Sequence, residues 1–508
     1  MERLNGRFIL ALATAILFSI IVDTSFGYSL RIGYAIAVFS LLLSTAKHSL
    51  LFGLLLIFIT ITSVLYSPIA YMYGTPSINI IVSAQNTNIN ESYEFLKNLP
   101  LIYLTPALLL IITSYITLKN RKSLIIKNNT ISLAIFILIV IFTPLKSYLK
   151  SGVLHIHDVK FTLFRFCNDF YNSYESIALF NEKMVFLKSL PSEWSPSKPK
   201  NDYDTYIIVI GESARKDFMH SYGFQIDNTP FTDSMNGLIF KNYISAAGST
   251  QASLSTTFSL NKGDEIEQQN NIIRLAKKQG FYTYWISNQG SIGGDDSIVS
   301  YIGQQADSFT FLKKGEYNTQ SFPDTDLLVP YQAAILNNNS KKKKLIFIHI
   351  MGSHPNFCDR TDNKYDYFYE NDKLSCYIQS IKNTDYLLSE ITKIADRNKK
   401  KWTMLYFSDH GLSFMSAKGT RNLQHNDKYK QNFQVPFIVT SYDAKSRVTI
   451  DQLRSAFDFL GLYLQWTGST DPLLPVECNY LSKMNCKKQI KIKDFNNNVK
   501  NYMSLIDE

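Results

Sequence analysis

The sequence predicts two parts: an N-terminal domain of five transmembrane helices and a C-terminal α/β domain with a central, mostly parallel sheet. Apolar residues are concentrated in the first 150 of the 508 positions. Short β-branched runs alternate with helical stretches from residue 203 onward, which is typical of a layered α/β domain. We therefore predict a transmembrane domain over residues 1–150, an interfacial helix and linker over 151–200, and a periplasmic globular domain over 201–508.

Five apolar stretches occupy the first domain, at residues 8–27, 32–46, 50–66, 101–118 and 124–145. A helix needs about 20 residues to cross a bilayer, so the second stretch is short for a span. If the N-terminus is inside, the outer loops before the fifth span contain only Arg31 and Lys97 as basic residues, as the positive-inside rule requires. Five spans then place the rest of the chain outside. We predict a multi-pass protein of the bacterial inner membrane.

The segment between the two domains differs in composition from both. Residues 154–180 mix aromatic and charged side chains, which is typical of an amphipathic helix at a membrane surface. Pro191, Pro196 and Pro199 follow and indicate a linker. Membrane lipid is therefore an expected partner of this protein.

The five cysteines are grouped in sequence. Cys358 and Cys376 form one local pair, Cys478 and Cys486 form another, and Cys167 stands alone. Two pairs outside the membrane domain predict two disulfides in an oxidising compartment, with Cys167 free. Five buried free thiols are the alternative.

The chain is basic, with 52 Lys and Arg against 42 Asp and Glu and a net charge of +10. Part of the excess lies in two runs, residues 341–344 and 399–401, each just before an apolar strand-like segment. Neither run is interleaved with a recognition helix, so no nucleic-acid partner is predicted. A solvated loop is the plain interpretation, and attraction to anionic lipid is the alternative.

Polar residues follow the predicted strands of the second domain. Strands are predicted at 206–210, 281–286, 345–350, 403–407 and 435–440, and a helix at 380–397. Ligands of open α/β sheets bind at the carboxyl ends of strands, and the residues there include Glu212, His349, His354, Asp409 and His410. Carboxylate and imidazole ligands without cysteine predict a metal site, with zinc favoured and manganese as the alternative.

A small polar stretch offers a nucleophile. Ser249, Thr250 and Ser253 precede an apolar segment, 254–260, that is compatible with a helix whose N-terminus points at an anion. A hydroxyl bound to zinc loses its proton more easily and becomes nucleophilic. Spacing alone does not choose among the three hydroxyls, and a plain N-cap cluster is the alternative.

Several motifs resemble those of the lipopolysaccharide phosphoethanolamine transferases, which belong to the alkaline phosphatase/sulfatase superfamily. The similar segments are Ile210-Gly-Glu-Ser-Ala-Arg215, His220-Ser-Tyr-Gly-Phe224, Asn228-Thr-Pro-Phe231, Trp285-Ile-Ser-Asn-Gln289, His349-Ile-Met-Gly-Ser-His354 and Phe407-Ser-Asp-His-Gly411. The resemblance implies an alkaline phosphatase/sulfatase type of α/β domain, behind five N-terminal spans. It also implies site residues: zinc ligands Glu212, Asp409 and His410, a nucleophilic Thr250 that also contacts zinc, and substrate-binding His349, His354 and His425.

The resemblance implies an enzyme that transfers phosphoethanolamine from phosphatidylethanolamine to a lipopolysaccharide sugar, through a phosphoethanolamine-threonine intermediate. One tightly bound zinc is expected, with a second as an alternative. Leu412 stands where many lipid A-modifying members have Glu. Those members also have cysteines and a proline that flank the nucleophile, and this chain has Ala246, Ser255 and Thr256 there. The chain therefore resembles more closely the branch that modifies core heptose or other polysaccharide sugars, including O-antigen.

Four alternatives remain at this stage. A lipoteichoic-acid-synthase-like enzyme would transfer phosphoglycerol with the same fold and membrane plan, and a lipid A phosphoethanolamine transferase would use another acceptor. A sulfatase or phosphatase would hydrolyse, but no Cys/Ser-x-Pro-x-Arg motif is found. The fourth alternative is a membrane-anchored binding protein with an inactive site. The chain retains the full set of Glu212, Thr250, Asp409 and His410, which argues against it.

Overall fold

The computed structural model divides into two compact units, Met1–Leu179 and Phe180–Glu508. It describes residues 6–76, 80–81, 101–126, 129–153, 158–263, 265–291, 297–314, 322–337, 341–417, 420–486 and 489–508. Each unit has its own hydrophobic core. The two units are described separately below.

The first unit is helical. Its elements are α1 (Gly6–Thr24), α2 (Ile32–Thr45), α3 (Ser49–Tyr73), α4 (Thr105–Lys119) and α5 (Asn129–Ser151), and the next helix along the chain is α6 (Thr162–Ser189). Within the described residues, α1, α3, α5 and the helical segment Leu101–Lys119, which contains α4, are long and apolar enough to cross a membrane, and α2 is apolar but shorter. The five predicted apolar segments are therefore all helices, and the second is the short one.

Hydroxyl groups link the helices of this unit. Thr60 on α3 donates a hydrogen bond to Ser114 on α4 at 2.9 Å, and Thr117 on α4 donates one to Thr14 on α1 at 3.2 Å. Large aliphatic side chains point outward, and Leu50 and Leu65 are 77% and 70% exposed. This arrangement suits a lipid environment, because apolar side chains face the lipid while small polar groups join neighbouring helices.

The second unit is built on a mixed β-sheet. The strands are β1 (Thr205–Gly211), β2 (Gly237–Phe240), β3 (Tyr243–Ile244), β4 (Ser259–Lys262), β5 (Glu265–Asn271), β6 (Tyr282–Gly290), β7 (Ser308–Lys313), β8 (Lys344–His349), β9 (Trp402–Ser408), β10 (Ser413–Ala417), β11 (Thr420–Gln424), β12 (Gln434–Val435), β13 (Phe437–Ser441), β14 (Arg447–Ile450), β15 (Arg454–Ser455), β16 (Lys491–Lys493) and β17 (Val499–Asn501). The main sheet has the order β14-β2-β13-β9-β1-β8-β6-β7. Strands β9, β1, β8, β6 and β7 are parallel, and β13 is antiparallel to β9. The central sheet is mostly parallel, as predicted.

Helices cover both faces of this sheet. They are α7 (Pro230–Ser234), α8 (Thr250–Phe258), α9 (Ile272–Gln279), α10 (Ser297–Gly303), α11 (Leu328–Leu336), α12 (Asp372–Arg397) and α13 (Phe459–Thr467). Alternate residues of β1 enter different cores: Ile208 packs in the cluster that includes α8 and α13, and Ile207 packs in the cluster of α11 and α12. The fully buried run of β1 is what a strand covered on both faces requires.

Several element bounds differ from the predictions for local reasons. The segment at 435–440 is broken at Pro436, which has no N–H to donate to the sheet. The helix expected at 254–260 instead begins at Thr250 and ends at Phe258. Helix α12 begins eight residues before its predicted start, at Asp372, because the Asn371 side chain caps it by accepting a hydrogen bond from the Leu374 N–H.

Both predicted disulfides are confirmed. Cys358 pairs with Cys376, with their Cα atoms 5.0 Å apart, and Cys478 pairs with Cys486, with their Cα atoms 5.5 Å apart. Among the described cysteines, Cys167 is free and exposed. Both crosslinks belong to the second unit, which agrees with an oxidising compartment for that part of the chain.

Candidate active site

The carboxyl ends of β1 and β9 bring together residues that are far apart in sequence. Gly211, the last residue of β1, is in register with Ser408, the last residue of β9. The Asp409 N–H donates to the Gly211 carbonyl at 3.1 Å. Glu212 and the Asp409-His410 pair therefore leave the sheet side by side.

Glu212, Asp409 and His410 form a buried cluster, called here the carboxylate–histidine cluster. One ligand atom from each residue lies within 4.8 Å of the others. The Ser213 and His410 N–H groups donate to Asp409 Oδ1 at 3.1 and 2.7 Å. His410 Nδ1 lies 2.7 Å from the Gly411 carbonyl, so Nδ1 carries a proton, and Nε2 faces Glu212 Oε1 at 3.4 Å.

The electrostatics of this cluster favour a bound cation. Burial and the Glu212 carboxylate raise the pKa of Asp409 to about 7. Burial opposes ionisation of Glu212, but hydrogen bonding and charge from His410 hold the pKa of Glu212 below its usual range. Burial alone would lower the pKa of His410, but the two carboxylates raise it to about 9. Among the described side chains, Asp409 Oδ2 is buried without a hydrogen-bond partner. Two carboxylate oxygens and one imidazole nitrogen are a donor set that fits zinc.

The backbone after β1 is strained where it turns Glu212 into the cluster. Ser213 has a φ of 57°, a left-handed conformation that non-glycine residues adopt rarely. Tyr377 on α12 holds this turn, because its hydroxyl donates to the Ser213 carbonyl at 2.8 Å and accepts from the Arg215 N–H at 2.9 Å. A Cβ at Gly352 would lie 3.1 Å from the Glu212 carbonyl, so the neighbouring loop approaches Glu212 closely.

Thr250 is the first residue of α8, and its side chain faces the cluster. Its Oγ1 donates to Glu212 Oε2 at 2.9 Å and lies 3.3 Å from His410 Nε2. Ser253 Oγ instead donates to the Asp409 carbonyl at 2.6 Å and is buried. Ser249 is the N-cap residue, and its side chain makes no capping hydrogen bond. Of the three hydroxyls left open by the sequence, that of Thr250 lies against the carboxylate–histidine cluster.

The three predicted substrate-binding histidines differ in environment. His349 ends β8, is buried, and packs edge-on against Trp285 with ring centroids 5.9 Å apart. Burial lowers its pKa to about 4. His354 is half-buried, and burial lowers its pKa. His425 is exposed, and its ring centroid lies 4.8 Å from that of His410. Partial desolvation and the nearby His410 lower the pKa of His425.

Comparison with known proteins identifies the family. The sulfatase family profile matches residues 204–469. The phosphoethanolamine transferase OpgE of Escherichia coli K12 is 34% identical over 471 residues, which cover 92% of this chain and 89% of OpgE. This chain belongs to the phosphoethanolamine transferases of the sulfatase family.

More distant relatives agree with this assignment. The phosphoethanolamine transferase EptC of E. coli K12 is 23% identical over 262 residues, covering 47% of this chain and 45% of EptC. The crystal structure of the C-terminal periplasmic domain of E. coli EptC, in complex with Zn, matches with a TM-score of 0.54 at 19% identity. That match covers 62% of this transferase and 98% of the EptC domain, and it shows a shared fold.

The surroundings of the carboxylate–histidine cluster also contain residues to which sequence reasoning assigned no role. Gln289, at the end of β6, donates to the Ile350 carbonyl at 3.0 Å, and its Nε2 lies 3.5 Å from Glu212 Oε2. Asp324 accepts hydrogen bonds from the N–H groups of Met351 and Gly352, both at 2.8 Å. Asp324 therefore positions the loop between His349 and His354, although no motif in the sequence marks it.

Proposed function

We propose that this transferase moves phosphoethanolamine from phosphatidylethanolamine to a sugar of lipopolysaccharide, in the core heptose region or the O-antigen, through a covalent adduct on Thr250. The observation that carries this proposal is the position of Thr250 Oγ1, 2.9 Å from Glu212 Oε2 at the head of α8. A hydroxyl at a buried, cation-binding cluster is the arrangement that nucleophilic phosphoryl transfer requires.

Glu212, Asp409 and His410 are the proposed ligands of one tightly bound zinc ion. Zinc bound there would supply positive charge that makes the Thr250 hydroxyl easier to deprotonate and offsets charge on the phosphate. The mutual approach of their ligand atoms within 4.8 Å supports this assignment. The zinc complex of the similar EptC domain supports it as well.

The reaction proceeds in two displacements. Thr250 Oγ1 loses its proton and bonds to phosphorus, while the bond from phosphorus to the diacylglycerol oxygen breaks and that oxygen takes up a proton. A sugar hydroxyl then loses its proton and bonds to the same phosphorus, and Thr250 regains its proton as its oxygen leaves. The N-terminal end of α8 adds a favourable dipole for the phosphate at both stages.

His349, His354 and His425 are proposed to bind the phosphoethanolamine group. His354 and His425 are accessible from solvent, and imidazole N–H groups can donate to phosphate oxygens. The closeness of His425 to His410 supports a contact between His425 and a group held at the cluster. His349, which is buried with its Nε2 unpaired among the described atoms, fits a role at the base of the site.

The proposed acceptor depends on the polysaccharide-modifying branch that the sequence resembles. Leu412, which stands where many lipid A-modifying members have Glu, is buried in an apolar cluster with Phe218 and Leu374. A carboxylate would be costly among these side chains. This environment supports an acceptor other than lipid A.

We also propose that the catalytic domain faces the periplasm. The apolar helices of the first unit and the two disulfides of the second unit support this orientation. A phosphatase reporter fused at Asn201 should be active, and one fused at Asn120 should be silent. The reverse pattern would contradict the proposed topology.

The decisive experiment follows both half-reactions. The full chain incubated with phosphatidylethanolamine should gain the mass of phosphoethanolamine on the peptide that contains Thr250, whereas phosphatidylglycerol should give no phosphoglycerol adduct. Lipopolysaccharide from cells with the protein should then show the same increment on core or O-antigen and none on lipid A. A phosphoglycerol adduct would favour the lipoteichoic-acid-synthase type of reaction, and an increment on lipid A would overturn the proposed acceptor.

A further inference from the structure

The second unit contains a cavity of about 320 Å³ beside the loop that carries His349 and His354. We call it the side pocket. Its walls come from residues 322–325, 351–352 and 359–362, and from the face of α12 that presents Ser380, Asn383 and Tyr386. This volume lies at the lower end of the range of protein sites that bind small molecules.

One wall of the side pocket backs onto the backbone of Glu212, a residue of the carboxylate–histidine cluster. Asp324 and Gly352 both line the pocket, and the Asp324 carboxylate accepts the Gly352 N–H at 2.8 Å. On its other side, Gly352 packs so closely against Glu212 that an added Cβ would lie 3.1 Å from the Glu212 carbonyl. A ligand in the side pocket is therefore separated from a cluster residue by the thickness of one backbone segment.

The opposing walls are covalently tied. The disulfide between Cys358 and Cys376 joins the turn that precedes Asp359 and Arg360 to helix α12. Asn383 and Tyr386 lie three residues apart on α12 and so project from the same face. The pocket is thus preorganised by a crosslink and a helix, which reduces the cost of ordering its walls when a ligand binds.

The composition of the pocket selects the chemical class of its ligand. The Asp324 oxygens already accept the Met351 and Gly352 N–H groups. The other charged lining residues are Asp359, Asp362 and Arg360, so carboxylates outnumber cations and a phosphate or other anion is disfavoured. Carboxylate and amide groups suit the many hydroxyls of a sugar as acceptors and donors. Tyr386, which is 56% exposed, offers an aromatic face for the C–H face of a sugar ring.

We propose that the side pocket binds an uncharged sugar unit of the acceptor glycan, next to the unit that receives phosphoethanolamine. This assignment rests on the proposed function, because it concerns the second half-reaction. Asn383 and Tyr386 act as acceptor-binding residues and do not contact the phosphorus. They set which glycan is used, and they leave the attack of Thr250 on the lipid donor unchanged.

The test separates the two half-reactions in the full chain with the variants Tyr386→Ala and Asn383→Ala. Adduct formation from labelled phosphatidylethanolamine, without acceptor, should match the wild type. Transfer to core oligosaccharide released from lipopolysaccharide should show a KM for the glycan raised by about tenfold for Tyr386→Ala, with kcat nearly unchanged. The control is Tyr442→Ala, since Tyr442 is 45% exposed and is not part of the pocket lining.

Saturation-transfer NMR with the same oligosaccharide provides a readout that does not require turnover. Binding should be present in the wild type and in Tyr442→Ala and weakened in Tyr386→Ala. An unchanged KM and unchanged binding in both pocket variants would overturn the side-pocket assignment. A wild-type protein that forms no adduct would overturn the proposed function instead. Even in that case, weaker glycan binding by Tyr386→Ala than by the wild type would support the side-pocket assignment.

Discussion

The carboxylate–histidine cluster and two of the three histidines predicted to bind substrate, His354 and His425, are built in different ways. Glu212, Asp409 and His410 directly follow two adjacent parallel strands, and all three are buried. His354 and His425 lie on loops and are partly or largely exposed. The comparison teaches that the sheet fixes charged groups in a desolvated place, while loops carry the more accessible histidines, which are proposed to bind the substrate. The predictions below test that division.

The largest effect is expected for Thr250, the proposed nucleophile. Thr250→Ala should reduce transfer by at least about a thousandfold, because the attacking oxygen is lost. The fold should persist, since Thr250 is only partly buried at a helix start. Intact-mass measurement should find no adduct, while metal content stays near that of the wild type. Thr250→Ser should retain part of the activity; a Thr250→Ala protein that still forms the adduct would show that another residue attacks.

The next effect concerns the cluster as a cation site. In the wild type, zinc at about a hundred times its dissociation constant should stabilise the protein by about 2.7 kcal/mol. Asp409→Asn should remove most of this gain because one charged ligand is lost. Without zinc, the variant should melt at the same temperature or higher, since the Glu212 carboxylate no longer has a like-charged neighbour. Thermal melts with zinc measure the stabilisation by the metal, and melts with EDTA measure the melting temperature without it. An undiminished stabilisation by zinc in Asp409→Asn would argue against Asp409 as a ligand.

Two histidine variants sharpen the comparison between buried and exposed groups. His425→Ala should lower kcat/KM by about ten- to a hundredfold and change stability by less than about 0.5 kcal/mol, because the side chain is exposed. His349→Ala should also cost about 2 kcal/mol of stability, because it leaves a cavity beside Trp285. Kinetics and urea melts on the same preparations separate the two effects. Equal stability losses would show that exposure does not distinguish these positions.

The smallest effect is expected for Ser249→Ala. Ser249 makes no capping hydrogen bond through its side chain. Among the described residues, it is the Thr250 hydroxyl that contacts Glu212 and His410 at this helix start. Transfer should change by less than about twofold. The paired assay of Ser249→Ala and Thr250→Ala uses adjacent residues in one helix start, so a larger loss in Ser249→Ala would reassign the nucleophile.

The sequence by itself determined the central strands of the main sheet and where their polar ends lie. Hydrophobic runs around Ile208 and Leu405 predict buried strands, and the polar residues that follow each run must emerge at one edge of a parallel sheet. The apolar helices of the first unit and the two local cysteine pairs were also readable from sequence. These features depend on composition and on short separations along the chain.

Only the tertiary structure decided which hydroxyl faces the cluster and what supports it. Ser249, Thr250 and Ser253 are equivalent in type, and their roles differ because α8 begins at Thr250 and is packed with one particular rotation beside β9. Asp324 lies in a polar stretch without periodicity, yet it holds the backbone of Met351 and Gly352. The side pocket likewise combines α12 with three separate chain segments. Such contacts join residues distant in sequence, and local patterns contain no record of them.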